Sequence, residues 1–231
     1  MLALSHIRTL ADTLENRKKA YMKTVIIPVT QFEQNCSLWI CEETKEAAVV
    51  DPGGDMEKIL AAATKEGVKI TKIFLTHAHI DHAGATAVLS EKLDLPIIGP
   101  HKGDQFWIDS LEKQSEMFGF PGCKTFTPTE WLNDGDSVSF GNVTLEVYHT
   151  PGHTPGHVIF FHKDSNIAAV GDVLFAGSIG RTDFPGGDHD TLISAIKQKL
   201  WPLGNDVSFI PGHGPMSTFG AERQSNPYVR D

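Results

Sequence analysis

The stretch THAHIDHAG, residues 76–84, constrains the fold more than any other. It sets His77, His79, Asp81 and His82 between the apolar run ITKIFL and the small-residue run AGATAVL. Imidazole and carboxylate are costly to bury without partners, so a cluster this dense is poor core material. Its place at the end of an apolar run, just before a helical pattern, marks a strand-to-helix turn. Alternate residues of an extended segment share a side, so His77 and His79 can converge on one ion. Asp81 and His82, further on, can face a second. Imidazole with carboxylate suits zinc, iron or manganese. The absence of a thiolate argues against a closed cysteine-type zinc site.

The same arrangement recurs along the chain. KIFLT leads to His77, VTLEVYHTPG to His153, IAAVG to Asp172 and VSFIPG to His213. Strands deliver their C-terminal ends to one rim of a sheet, where loops carry function on a rigid base. Gly152, Gly171, Gly212 and Gly214 flank the ligand-type residues, and Pro151, Pro155, Pro211 and Pro215 stiffen the same loops.

After Lys23 the chain alternates short apolar runs with turn signals. TVIIPV, CSLWIC, AAVVD, KIFLTH and PIIGP read as strands in the first half. SVSF, VTLEVYHT, HVIFFH, IAAVGDVLF and VSFIPGHG follow in the second. DMEKILAAATKEG reads as a helix that Asp55 caps and Gly67 closes. HAGATAVLSEKLD, KGDQFWIDSLEKQSEMFG and HDTLISAIKQKLWPL read as further helices. Strands and helices in both halves predict mixed α/β layers around two sheets. His149 and His157 flank His153; His157 is expected behind the ligands. His6, His101, His162 and His189 fit no ligand pattern and are expected at the surface.

At 231 residues the chain fits one domain or two small ones. Its net charge of −9 speaks against a nucleic-acid partner held by phosphate neutralisation. The three cysteines form no CxxC pair, and an odd number argues against a disulfide framework, so a reducing cytoplasm is the expected location. No apolar run approaches the roughly 18 residues of a membrane span, so no membrane partner is expected. Residues 1–21 lack the apolar centre of a secretory signal. They read as an N-terminal extension, helical or disordered, ahead of a hydrolase domain over residues 22–231. A monomer or small homo-oligomer is expected.

These motifs carry a resemblance. THAHIDH looks like the T-H-x-H-x-D-H signature of the metallo-β-lactamase superfamily. VVDPGG at 49–54, PGHTPGH around His153, GDVLF at Asp172 and PGHGP around His213 match in order, over residues 22 to about 220. Within that superfamily IIPVTQFEQNCSL and GSIGRTDFPGGDHDTLISAIK resemble short bacterial forms of glyoxalase II, the hydroxyacylglutathione hydrolases. The resemblance implies a four-layer αββα sandwich, an α/β fold with metals at one edge between the sheets. It implies two divalent ions, zinc first, with iron or manganese also suited to the donors. His77, His79 and His153 would hold one; Asp81, His82 and His213 the other; Asp172 would bridge them. Asp51 would orient a ligand from behind. Asp81 and Asp172 would be the catalytic carboxylates, Asp81 also orienting the nucleophile. Full-length glyoxalase II adds a C-terminal helical domain that grips glutathione, whereas only 18 residues follow His213 here. Arg181 lies where glyoxalase II carries a lysine on the glutathione glycine carboxylate, and a guanidinium can bind that group in bidentate fashion.

The implied chemistry is hydrolysis of a small-molecule thioester, S-lactoylglutathione or a similar acylglutathione, by a metal-bridging hydroxide. Paired ions about 3.5–4 Å apart lower the pKa of a shared water towards about 7. A thiol of pKa about 8.5 leaves without a strong acid, and no extra acid is evident beside the cluster, so a thioester suits it better than a lactam. The rival within the superfamily is a persulfide dioxygenase, which shares the histidine string and a GRTDF stretch. It would hold a single iron on His77, His153 and Asp172 to oxidise glutathione persulfide.

Overall fold

The computed structural model describes residues 22–120 and 122–231; the extension over residues 1–21 lies outside them. The first half places β1 (Met22–Val29), β2 (Gln34–Cys41), β3 (Glu46–Val50), α1 (Met56–Glu66), β4 (Lys69–Phe74), α2 (Ile80–Ala83), α3 (Thr86–Leu93) and β5 (Ile97–Ile98). Then come α4 (Gln105–Asp109), α5 (Leu111–Phe118), β6 (Ser137–Phe140), β7 (Val143–His149), β8 (Val158–His162) and β9 (Ile167–Gly171). A small hairpin, β10 (Leu174–Phe175) with β11 (Ser178–Ile179), precedes α6 (His189–Ala195), β12 (Ser208–Pro211), β13 (Ser217–Thr218) and α7 (Phe219–Ser225). One sheet runs β1-β2-β3-β4-β5 and the other β13-β12-β9-β8-β7-β6. Both are mixed: β3-β4, β4-β5 and β12-β9 are parallel and the other pairs antiparallel.

The side-chain period of two sorts the strands into layers. In β2, Leu38 and Ile40 enter one apolar cluster with Ile59 and Ala63 of α1 and Leu89 of α3. Their neighbours Trp39 and Cys41 enter another, opposite Phe140, Leu145 and Phe160 of the second sheet. In β8 and β9, Phe160 and Ala169 face that central cluster. Ile159, Phe161, Ala168 and Val170 turn outward onto Leu192 of α6 and Phe219 of α7. Three apolar interfaces separate four layers, so the architecture is the αββα sandwich. Because both sheets are covered on both faces, β2 is buried at every position from Cys36 to Cys41. Burying each Leu, Ile or Phe side chain of this kind contributes about 1.5–3 kcal/mol.

Some local expectations are corrected. Asp55 does not cap α1 with its side chain: it sits at φ 46° and its carboxylate accepts from Thr30 N at 3.0 Å and from Lys58 Nζ at 2.5 Å. Gly67 does close that helix, at φ 65°. The helix expected to begin at the histidine cluster is two pieces, α2 and α3. Residues 102–118 are a 3-10 turn, Lys102–Asp104, followed by α4 and α5. They break where the Ser110 hydroxyl donates to Trp107 O at 2.9 Å. The last long helix is α6, a π turn Ile196–Leu200 and a 3-10 turn Trp201–Leu203, because Pro202 has no N–H to continue an α ladder. His162, expected at the surface, is buried.

The two sheets are stitched together at one edge. Val158 N, at the start of β8, donates to Thr76 O beyond β4 at 2.8 Å. Gly212 N beyond β12 donates to Gly171 O of β9, and Asn35 N of β2 donates to Gly212 O, each at 2.7 Å. The strand ends singled out in the sequence therefore meet at one rim.

Candidate metal centre

The structure brings all seven expected ligands to that rim. His77 and His79 follow β4, Asp81 and His82 lie on α2, and His153, Asp172 and His213 follow β7, β9 and β12. Two groups form: one donor atom each from His77, His79 and His153 lie within 4.8 Å of one another, as do those of Asp81, His82 and His213. Asp172 stands between them. Its Oδ1 is 3.3 Å from His82 Nε2, and its Oδ2 is 3.6 Å from His153 Nε2 and 3.9 Å from His213 Nε2.

The imidazoles are oriented from behind. His82 Nδ1 donates to Asp51 Oδ2 at 2.9 Å. Thr76 Oγ1 donates to Asp51 Oδ2 at 2.6 Å and so accepts from His77 Nδ1 at 3.0 Å. His153 Nδ1 donates to the Arg181 carbonyl at 2.7 Å, and His213 Nδ1 to the Phe32 carbonyl at 3.1 Å. Such contacts fix the tautomer and aim Nε2 inward. Asp51 also lies near His77 and His82 as a possible donor. Its two oxygens, however, already accept from Thr76 N at 2.7 Å, Thr76 Oγ1 and His82 Nδ1. His157 lies behind Asp172: its Nε2 accepts from Asp172 N at 3.1 Å and its Nδ1 faces Thr150 Oγ1 at 3.3 Å.

The donor set fits metal ions. His77 Nε2 is buried with no hydrogen-bond partner, a costly state for a polar atom, and the buried His82 Nε2 and Asp172 Oδ1 face only each other at 3.3 Å. His79 Nδ1 and His153 Nε2 stand 3.0 Å apart, and one proton can satisfy those two but leaves His77 Nε2 bare. A cation satisfies all three. Burial, reinforced by mutual repulsion, holds His77 well below its ordinary pKa and His79 at about 3. His153 is lowered by burial too. All three are therefore in the neutral form that binds metal. Asp172 and Asp81 are lowered despite burial, because His82 and its neighbouring imidazoles favour the carboxylates. His82 and His213 are raised despite burial, chiefly by Asp172 and Asp81.

The site opens on one side. The Asp81 and His213 side chains keep 20% and 31% of their exposure, while His82 has none. On the other side, Trp107 and Phe184 stand against His79, with ring centroids 4.5 and 4.9 Å away. Arg181 is held within its own loop. Its side chain is paired with Asp183, Nε to Oδ1 at 2.7 Å and Nη2 to Oδ2 at 2.6 Å, and lies 4.1 Å over the Phe184 ring. Its backbone carbonyl, not its guanidinium, touches the ligand shell.

Sequence reasoning passed over Thr76 and Asp104. Thr76 was visible only as the first letter of the histidine motif. Asp104 is fully buried, with its pKa raised to about 6 by burial, and nothing in KGDQFW marks it as different from a helix-start aspartate.

A two-sheet sandwich carrying two His/Asp donor groups at one edge defines a class of metal-centred enzymes. The profile described as Metallo-beta-lactamase superfamily matches residues 30–213, and the chain belongs to that superfamily. A curated relative, the hydroxyacylglutathione hydrolase GloC of Haemophilus influenzae, is 44% identical over 90% of this chain and 98% of its own length. That relationship and the superfamily together make the chain a metal-dependent hydrolase. Among solved structures, the BLEG-1 B3 metallo-beta-lactamase superposes with a TM-score of 0.83 at 35% identity, covering 90% of this chain and 100% of its own. TTHA1623, solved in a di-iron-bound form, superposes with a TM-score of 0.81 at 36% identity, covering 89% and 100%. ETHE1 from Myxococcus xanthus, at 23% identity and a TM-score of 0.73 over 90% and 84%, shares the fold.

Proposed function

We propose that the chain is a dinuclear metal hydrolase of thioesters, acting on an acylglutathione of the S-lactoylglutathione kind. One observation carries the dinuclear reading: the Asp172 carboxylate reaches His82 with one oxygen and His153 and His213 with the other. The thioester reading is supported by the kinship to a hydroxyacylglutathione hydrolase. His77, His79 and His153 would hold one divalent ion and Asp81, His82 and His213 a second, and the pair would supply a water of lowered pKa and a polarised carbonyl oxygen. Asp172 holds the two donor groups in register. Asp81, ionised and at the open side, accepts a hydrogen bond from an approaching water and so orients it. His77, His79 and His153 stay neutral and keep their lone pairs available. Trp107 and Phe184 wall the site on the His79 side and exclude water there. Arg181 supplies an exposed guanidinium over the Phe184 ring, which a substrate carboxylate can reach by exchanging with Asp183. A thiolate leaves unaided, which suits a site built from carboxylates and imidazoles.

The donors accept zinc, iron or manganese. Zinc is the first expectation, and the di-iron form of TTHA1623 makes iron the next to test. Free thiols at Cys36, Cys41 and Cys123 support a reducing cytoplasm, and no helix of the described residues is long and apolar enough to cross a membrane. A persulfide dioxygenase needs only His77, His153 and Asp172. The kinship to a hydroxyacylglutathione hydrolase favours hydrolysis over that chemistry.

The test is steady-state hydrolysis of S-lactoylglutathione by metal-replete protein. A kcat/KM above roughly 10⁴ per molar per second, the low end for a competent enzyme, supports the reading. Background turnover, together with oxygen uptake on glutathione persulfide, overturns it. Asp172→Ala is expected to lose both metal occupancy and hydrolysis.

A further inference from the structure

We propose that Asp104 is a positioning residue that sets the geometry of the His77, His79 and His153 group, acting through the two loops that carry those ligands. Asp104 is fully buried, and among the described residues its carboxylate forms no ion pair. Oδ2 accepts from Ala78 N at 3.1 Å and from Thr154 Oγ1 at 2.8 Å, and Oδ1 accepts from Gly156 N at 2.6 Å. Ala78 lies between His77 and His79, and Thr154 directly follows His153. One carboxylate therefore pins both loops that bear this ligand group, without touching a ligand.

The contact is built from both sides. His101 N donates to Gly156 O at 3.0 Å, next to the carboxylate. A Cβ on Gly156 would lie 2.4 Å from Asp104 N, and one on Gly103 would lie 2.9 Å from the Pro155 carbonyl carbon. The turn and the loop approach so closely that neither has room for a methyl. A buried carboxylate is retained at a cost unless its partners satisfy it, and here three donors do. The same residue begins α4, so it also sets the register of Trp107 against His79.

The inference rests on the metal-centre reading and not on the substrate. It is tested by competitive titration of metal-free protein with zinc, and by the visible spectrum of the cobalt-loaded form. Wild type is expected to take up two ions. Asp104→Asn sets an amide N–H₂ among two backbone N–H donors and the Thr154 hydroxyl. It is expected to weaken the ion at the three-histidine group by between about tenfold and a hundredfold, the usual effect of removing an outer-shell partner. The cobalt spectrum of that site is expected to change, and uptake at the Asp81, His82 and His213 group to stay near wild type. Thr154→Val, which removes one of the three bonds, is expected to give a smaller loss of the same kind, and Thr154→Ser to restore it. That pair decides the matter if Asp104→Asn does not fold. Wild-type affinity and spectrum in both Asp104→Asn and Thr154→Val overturn the proposal, even if they melt at lower temperature. Failure of wild type to bind any ion overturns the metal reading with it, a result distinct from unchanged binding in the variants alone.

Discussion

At the scale of single residues the centre is governed by close approaches. A Cβ on Gly212 would stand 2.0 Å from Asp172 Oδ1 and 2.6 Å from His82 Cε1, inside the space between the two donor groups. Gly212→Ala is therefore expected to displace Asp172 and cost at least tenfold in metal affinity, which mass spectrometry and chelator competition will measure. A variant that keeps two ions at wild-type affinity would show that the loop yields without moving the carboxylate. Arg181 makes a contrasting case. Its guanidinium is exposed and held by Asp183, so removing it touches no ligand while its carbonyl still serves His153. Arg181→Ala is expected to raise KM about tenfold for a glutathione thioester, the lower end for a lost charge-assisted hydrogen bond, with kcat little changed. A thioester whose thiol lacks a carboxylate should show no change in KM. Equal effects on the two substrates would remove the guanidinium from substrate binding.

At the scale of elements, strand ends bear the ligands and a helical segment shapes the approach. Trp107 and Phe184 meet His79 from α4 and from the loop before α6. Trp107→Ala is expected to lower kcat/KM about tenfold for thioesters with apolar acyl groups and less for small polar ones, because the lost surface is apolar. A uniform loss across acyl groups would point instead to a shifted His79. The strands were legible because β2, β8 and β9 show unbroken or alternating apolar runs that only a buried sheet explains. The gathering of these residues at one rim was legible because each strand end repeats the same His or Asp signal. The 102–118 segment was read as one helix, since periodicity does not register the Ser110 hydroxyl that ends α4. Asp55 was read as a cap because its sequence position fits one, and only the fold brings Thr30 N to its carboxylate. Asp104 and the Arg181 carbonyl were not legible at all. Their roles depend on which backbone groups the topology brings near, and backbone groups carry no residue-specific signal.

For the whole molecule, the same rim couples stability to pH. His77, His79, His153 and His157 are buried and neutral, and all are lowered, His79 to about 3. In the unfolded chain they titrate near 6.5. Below that pH the unfolded state binds more protons than the folded one. Their contribution is thus complete above about 6.5 and is lost as pH falls towards their folded values, by up to about 1.4 kcal/mol per pH unit for each group. His82 and His213, which are raised, act in the opposite sense: their contribution is complete below about 6.5 and fades as pH rises through their folded values. Asp104, raised to about 6, also favours the fold at low pH and partly offsets the loss between about 4 and 6. Asp172 and Asp81, lowered, add a further loss only below about 4. Four histidines outweigh one carboxylate, so the urea midpoint of metal-free protein is expected to fall steadily between pH 6.5 and 4. Metal in hundredfold excess over its Kd adds about 2.7 kcal/mol at neutral pH. That increment shrinks on acidification, because protons compete for the same nitrogens. Metal-loaded and metal-free midpoints should therefore lie well apart at pH 7.5 and converge by about pH 5. A metal-free midpoint that stays flat from pH 7 to 5 would mean that the buried imidazoles already share protons or solvent in the folded chain. The neutral three-histidine group drawn at the rim would then be wrong.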